Sequence, residues 1–196
     1  TEARRSFYFY ARGFDSVTAT SPGSSTGYAY LYDSPGIDAF SASTTSAAMD
    51  REDPWSDTTA SGFTRIYAYS TRGGADTAVL NGSSAGGNNY RGYPAYSTLY
   101  DSTQSFYHYV RGFHSVTAAG SKDDPSSDQA YLYDSSGDDT FDEAFWEEGK
   151  YQGGSLTDSG DSYEIWIKYF DLVYARSTDS GTNDTIAVED QTLLAY

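Results

Sequence analysis

The chain has no cysteine and a single methionine among its 196 residues. Without cysteine there is no disulfide framework, no thiolate metal site and no cysteine nucleophile. Leucine, lysine, glutamate and methionine, the strong helix formers, are scarce, which argues against a helical fold. No apolar run approaches the roughly 18–20 residues of a membrane span, so membrane insertion is not expected. Basic residues are few, at 12 Lys and Arg against 28 Asp and Glu, and the net charge is −16. No basic stripe exists to replace the counterions of a phosphate backbone, so nucleic acid is excluded as a partner. No signal peptide is visible and the chain does not begin with Met, so it reads as a mature product or a fragment.

What is present is aromatic and turn-forming. The apolar fraction is 38%, yet 17% of residues are aromatic, with 20 Tyr, 10 Phe and 3 Trp. Disordered chains are poor in aromatics, so the low apolar fraction does not mean disorder here. Tyr, Thr, Val and Phe interleaved with Gly, Ser and Asp predict an all-β fold. Acidic, Ser/Thr-rich surfaces suit a secreted protein, so an extracellular or cell-surface location is expected, with stability drawn from repetition, packing or metal.

An internal repeat organises the chain. FYFYARGFDSVTA (7–19) and FYHYVRGFHSVTA (106–118) differ at three of thirteen positions, and YAYLYDSPGIDAF (28–40) matches QAYLYDSSGDDTF (129–141). Weaker copies begin at Gly62 (GFTRIYAYS) and Tyr169 (YFDLVYARS), which gives starts near 13, 62, 112 and 169. In this register YAYL (28–31) matches TAVL (77–80), and Arg12, Arg111 and Lys168 share one position. The phrase LYDS occurs at 31–34, 99–102 and 132–135, with LTDS at 156–159. The prediction is one repeat array over 1–196, with a partial unit 1–12, full units 13–61, 62–111 and 112–168, and a partial unit 169–196. Each unit of about 50 residues divides into two unequal coils of very roughly 20–30 residues, the size of a β-solenoid coil. The expected fold is therefore a β-solenoid, parallel β-helix-like; a tandem β-sandwich is the alternative. The insertions SASTTSAAMDREDPWSD and DEAFWEEGKYQGG are expected to be loops, the second with a short helical turn around Phe145 and Trp146.

Alternation assigns faces. In 28–32, Ala29 and Leu31 take one side and Tyr28, Tyr30 and Tyr32 the other; in 106–110, Phe106, His108 and Val110 oppose Tyr107 and Tyr109. Small and aliphatic residues are expected inside and tyrosines outside. Two external rows follow: Tyr8, Tyr10, Tyr107, Tyr109 and Trp166 in one, and Tyr28, Tyr30, Tyr32, Tyr131 and Tyr133 in the other. Contiguous exposed aromatics mark interaction surfaces. The expected partners are further copies of the same repeat, in a homopolymer or a longer parent chain, with glycans as the second class.

The segments AYLYDSPGIDAF and AYLYDSSGDDTF, with GFDSV and YAY blocks between them, resemble repeats of very large secreted bacterial proteins. The resemblance covers about residues 7–190 and implies a solenoid in an extracellular setting, with no enzyme activity. Gly36-to-Phe40 and Gly137-to-Phe141 also resemble, distantly, the G-x-D-x-aromatic core of calcium-binding repeat-in-toxin nonapeptides. In the two best copies D-S-x stands where that family has G-G-x, and the copies are not tandem at nine residues, which is the arrangement that builds its calcium cage.

Chemistry concentrates in the turns. Asp33 with Asp38, and Asp134 with Asp138 and Asp139, converge on tight turns, and Asp179 with Asp184 makes a looser third case. Such oxygens can ligate Ca2+; Asp and Ser in turns also bond their own backbone, with glycine supplying positive φ. His108 and His114 stand where the first copy has Phe9 and Asp15, so neither is expected to be a ligand or catalyst. Acidic residues that could flank a sugar bond are Asp50, Glu52, Asp53, Asp142, Glu143, Glu147 and Glu148. No nucleophile, base and orienting group can be named among them, so a polysaccharide-degrading β-helix ranks below a structural or adhesive role.

Overall fold

In the computed structural model, residues 10–11, 16–22, 27–52, 57–123, 127–146, 151–177 and 184–187 are described. They hold seventeen strands and no helix. The first five are β1 (Ser16–Thr20), β2 (Tyr28–Tyr32), β3 (Ala39–Ala42), β4 (Ser46–Asp50) and β5 (Asp57–Ser61). The next are β6 (Arg65–Tyr69), β7 (Thr77–Asn81), β8 (Asn88–Tyr93), β9 (Tyr96–Asp101) and β10 (Tyr107–Arg111). Then come β11 (Ser115–Ala119), β12 (Gln129–Tyr133), β13 (Asp139–Trp146), β14 (Tyr151–Asp158) and β15 (Glu164–Phe170), and finally β16 (Leu172–Arg176) and β17 (Thr185–Ala187).

The strands form two open, mixed sheets. Ten lie in the order β1-β5-β4-β3-β7-β11-β15-β14-β13-β17, and seven in the order β16-β12-β8-β9-β10-β6-β2. One rule generates both orders. Every parallel pair joins a strand to the one four places later, as in β2 with β6 and β11 with β15. Every antiparallel pair joins neighbours in a three-strand meander: β3-β4-β5, β8-β9-β10 and β13-β14-β15. The chain lays one strand in one sheet, one in the other and a meander back in the first, then begins again in the opposite sheet. SVTA therefore sits in the ten-stranded sheet at both 16–19 and 115–118, while IYA (66–68) and VYA (173–175) sit in the seven-stranded one.

The two insertions expected as loops are meander strands instead. Alternation within the first explains this: Ala47 and Met49 are buried between exposed Ser46 and Asp50. The second forms the β13–β14 hairpin, and residues 145 and 146 continue β13 where a helical turn was expected. A run of small, alternating residues extends a sheet at no steric cost, and no helix-forming stretch competes with it.

Both inner faces contribute to one core. Ala29, Leu31, Ile66, Ala68, Val110 and Leu132 enter it from the seven-stranded sheet, and Phe40, Met49, Ala78, Leu80, Ile165 and Ile167 from the ten-stranded sheet. The sheets meet closely at Gly92 of β8, where an added Cβ would lie 3.0 Å from Ile165 Cδ1. Eight of the clustered residues are alanines, so the apolar layer is thin and each burial is small. A fully buried Leu or Ile adds about 1.5–3 kcal/mol; repetition along the sheets multiplies that contribution.

The repeated Gly-Phe dipeptide has a backbone cause. Gly62 and Gly112 have φ of 72° and 81°, and a Cβ on them would stand 2.2 Å from Ser21 O and 2.0 Å from Ser70 O. Positive φ and a neighbouring carbonyl together admit only glycine. Tyr169, which aligns with these glycines in the repeat, holds φ 63° without that freedom.

Candidate functional site

The outward positions of the seven-stranded sheet form three rows that cross all seven strands. One reads Tyr32, Tyr69, Arg111, Tyr96, Tyr93, Tyr133, Arg176. The middle row reads Tyr30, Tyr67, Tyr109, Thr98, Arg91, Tyr131, Tyr174. The third reads Tyr28, Arg65, Tyr107, Tyr100, Asn89, Gln129, Leu172. Thirteen tyrosines and four arginines thus share one surface, and it contains no carboxylate, in a chain with 28 acidic residues.

Strand spacing of about 4.8 Å sets the contact between rings in a row. Tyr93 and Tyr133 stack at 4.3 Å and 1°, Tyr131 and Tyr174 at 4.8 Å and 8°, and Tyr30 and Tyr67 at 5.0 Å and 16°. Each such pair adds about 0.5–1.5 kcal/mol beyond burial. Packing raises the phenol pKa values: burial, then the Tyr133 hydroxyl, pushes Tyr93 up to about 12. Burial followed by neighbouring phenols raises Tyr69, and burial also leads the rise of Tyr67 and Tyr107. These four rings are therefore neutral at physiological pH. Arg65 lies 5.4 Å from the Tyr107 ring centroid and Arg91 lies 6.0 Å from that of Tyr131.

The structure divides the expected aromatic residues differently from the two proposed rows. Tyr30, Tyr32, Tyr107, Tyr109, Tyr131 and Tyr133 belong to one continuous face, because β2, β10 and β12 all lie in the same sheet. Trp166 is 38% exposed on β15, in the other sheet, and does not join them. Tyr10 is exposed but precedes the first strand, and Tyr8 lies outside the described residues. Tyr28 belongs to it as well, and Tyr67, Tyr69, Tyr93, Tyr96, Tyr100 and Tyr174 complete its thirteen tyrosines. The parity of RIYAY (65–69) and LVYAR (172–176) could have revealed three of them; the meander pairing that adds Tyr93, Tyr96 and Tyr100 is not written in a repeat.

The second constellation is a set of aspartate corners where the chain passes from sheet to sheet. Asp33, Asp38 and Asp76 are buried with carboxylate oxygens within 4.8 Å of one another, and Asp134, Asp139 and Asp184 form an equivalent group. Asp138 is exposed and outside that group, because it stands one residue before the strand whose first residue, Asp139, turns inward. Asp179 lies outside the described residues.

Hydrogen bonds explain the first corner. Asp33 Oδ2 accepts from the backbone of Thr71 and Arg72, and Oδ1 from the Thr71 hydroxyl. Asp38 Oδ2 accepts from Ser34 N, and Oδ1 from Ser34 Oγ and Glu52 N. Asp76 Oδ1 accepts from Asp38 N at 2.7 Å and Oδ2 from Ser70 Oγ at 2.6 Å. All six oxygens of this cluster thus accept an N–H or O–H. Burial, reinforced by the charges of Asp38 and Asp33 and opposed by the Ser70 and Asp38 donors, raises the Asp76 pKa.

The same bond recurs between strands four apart. Asp128 Oδ1 accepts from Asn88 N at 2.7 Å, and Asp184 Oδ1 accepts from Asp139 N at 3.2 Å. In each case a carboxylate just before one strand holds the backbone just before, or at the start of, its parallel partner. A serine four to seven residues upstream bonds the same group: Ser34, Ser70, Ser121, Ser135 and Ser177 for the acids, and Ser83 for Asn88. The repeated LYDS phrase thus has two fates. Asp33 and Asp134 enter corners, whereas Asp101 and Asp158 close exposed turns by accepting from Ser105 and Ser162. Burial opposes ionisation of those two, but their donors outweigh it and hold the carboxyls low.

His108 is buried on the inner side of β10, and burial pushes its pKa down to about 4, so it is neutral. His114 lies near the exposed Asp161, at 3.8 Å. Of the acidic residues weighed for glycoside chemistry, Asp53, Glu147 and Glu148 lie outside the described residues. Glu52 accepts from Ile37 N, and Asp142 points outward from β13. No family model matches the chain, and no curated protein or solved structure matches it either.

Proposed function

We propose that the chain is a structural or adhesive segment of an extracellular filament, sheath or surface protein, built as a β-solenoid whose ends accept further copies. It acts without catalysis. The observation that carries this reading is that every parallel pair, in both sheets, joins strands four places apart. Such a rule adds units along one direction, and among the described residues it leaves β1 and β2 at one end and β16 and β17 at the other paired on one side only. Unpaired strand edges template further pairing. The composition and the resemblance to repeats of large secreted proteins favour the extracellular setting.

The edges have a defined polarity. Arg65 N donates to Gly27 O and Asp33 N to Tyr69 O, so the alternate residues 28, 30 and 32 turn their N–H groups away from β6. Asp134 N donates to Arg176 O, which likewise turns the N–H groups of Val173 and Ala175 outward. Proline is tolerated at such edge positions but denies a donor to an incoming strand. Negative-stain images of the purified chain should show linear assemblies. Ala175→Pro, which blocks one edge and so every end-to-end junction, should shorten them while the β spectrum is kept; a wild type that stays dispersed would remove the proposal.

The aspartate corners favour a second reading, a calcium-stabilised module, because two groups of three carboxylates each converge within 4.8 Å. All six oxygens of the Asp33, Asp38 and Asp76 group already accept backbone or hydroxyl donors, so that corner is satisfied as a structural tie. Melting curves in millimolar calcium and in chelator should superimpose; a clear upward shift with calcium would favour the second reading.

A further inference from the structure

The four arginines of the tyrosine face stand apart from the charge pattern of the molecule. Among the described residues, no carboxylate lies within 4.0 Å of the side-chain nitrogens of Arg65, Arg91, Arg111 or Arg176. In a chain of net charge −16 a guanidinium has many carboxylates to choose from. Arg65 and Arg91 lie over phenol rings instead, and Arg111 and Arg176 stand in a row with tyrosines, on a surface free of acid.

The opposite outer surface is its complement. The outward positions of the ten-stranded sheet are mostly Ser, Thr and Ala, as in Thr18, Thr59, Ser41 and Thr117. Asp50, Asp57, Asp142 and Glu164 are its acidic members, and Lys168 is basic. One face is large, aromatic and cationic; the other is mostly small, hydroxylated and anionic, with Trp166 and Val79 its exposed apolar members. Both carry ladders at the same strand spacing of about 4.8 Å, and stacked sheets pack about 10 Å apart. Seven strands of about five residues present a projected area of about 600 Å², so docking would bury on the order of 1,000 Å² in total, near the lower bound of specific interfaces.

From this we propose that the tyrosine–arginine face docks on the hydroxyl-rich, acidic face of a second copy. The contact is heterologous, joining different surfaces of identical chains, so it does not close and builds a lateral stack. This deepens the self-associating reading above by naming the two surfaces, and it is independent of pairing at the strand edges. Tyr and Ser surfaces are adaptable partners, since the rings supply rigid contact area and the hydroxyls supply hydrogen bonds.

A charge exchange tests it. Arg91→Glu with Arg111→Glu, and separately Asp50→Lys with Asp142→Lys, should each weaken self-association in sedimentation velocity about tenfold or more. Mixing the two variants should restore association at one-to-one stoichiometry, because each variant keeps the face the other has lost and the two reversed faces are again opposite in charge. The milder Arg91→Gln with Arg111→Gln serves as a check on folding and should weaken association in the same direction. The Ala175→Pro chain, changed at the strand edge and outside the tyrosine–arginine rows, should still associate laterally and respond to the same exchange. The proposal is overturned by variants that associate as the wild type does, or by weakening without rescue in the mixture. It is also overturned if the edge proline abolishes all association while the exchange has no effect, an outcome that leaves the end-to-end reading intact. A monomeric wild type retarded by polygalacturonate through the same arginines would overturn it too, by assigning the face to an acidic glycan.

Discussion

The two outer surfaces are made by the same backbone rule and carry opposite chemistry. Each sheet alternates inward and outward residues, and each buries Ala, Leu and Ile. Outward, the seven-stranded sheet shows tyrosine in ladders, while the ten-stranded sheet shows Thr and Ser, with hydroxyl pairs such as Thr59–Thr18 at 3.1 Å and Ser61–Thr20 at 3.2 Å. Because successive units exchange sheets, a unit that gives three meander strands to one surface gives one to the other. The contrast is therefore written into individual strands and is not a property of the repeat as a whole. It also separates two roles. Most stability lies beneath the rows and in the corners, ring stacking adds to it, and the rows are the surface proposed above for contact.

The corners offer the strongest way to break that separation. Asp128→Ala would strand the Asn88 and Ser121 backbone donors and the Asn88 amide. Buried donors without partners cost about 1–3 kcal/mol each, and a shared acceptor makes the losses less than additive, so about 4 kcal/mol is expected in denaturant unfolding. A smaller loss would mean that the corners are decoration.

Beneath the tyrosines, acid should act through His108. Its pKa of about 4 in the fold lies below the ordinary 6.5, so below pH 6.5 the unfolded chain takes up a proton that the folded chain refuses. Stability should fall as pH drops from about 6.5 to about 4, by about 3 kcal/mol, and then level off. Asp101 and Asp158, held low by their serine donors, lose their contribution only at more acid pH. His108→Phe, the residue of the first copy, should flatten the upper part of the profile. An unchanged profile would place the histidine in water.

Much of this was legible in the chain. Parity in YAYLY and FYHYV placed Ala29, Leu31, Phe106, His108 and Val110 inside and the tyrosines outside. The repeated turns pointed to Asp33, Asp38, Asp134 and Asp139. What could not be read is pairing at a distance. Asp76 and Asp128 work on strands four places away, and no local pattern states which strand that is. The meander strands were hidden for a related reason: SAAMD and QGGSL lack the β-branched and aromatic residues that announce a strand, and become strands because a neighbour's edge is available. Trp166 fell into the wrong row because sequence alignment matched β15 with β10, which lie in different sheets.

The most direct test compares two adjacent residues of β6. Ile66 is buried and Tyr67 faces outward against Tyr28, Tyr30, Tyr107 and Tyr109. Denaturant unfolding should show Ile66→Ala losing about 3 kcal/mol with self-association kept in the folded fraction. Tyr67→Ala should lose about 1 kcal/mol while self-association weakens. If Tyr67→Ala unfolds the chain as severely as Ile66→Ala, or leaves association untouched, the tyrosine face is not the contact surface described above.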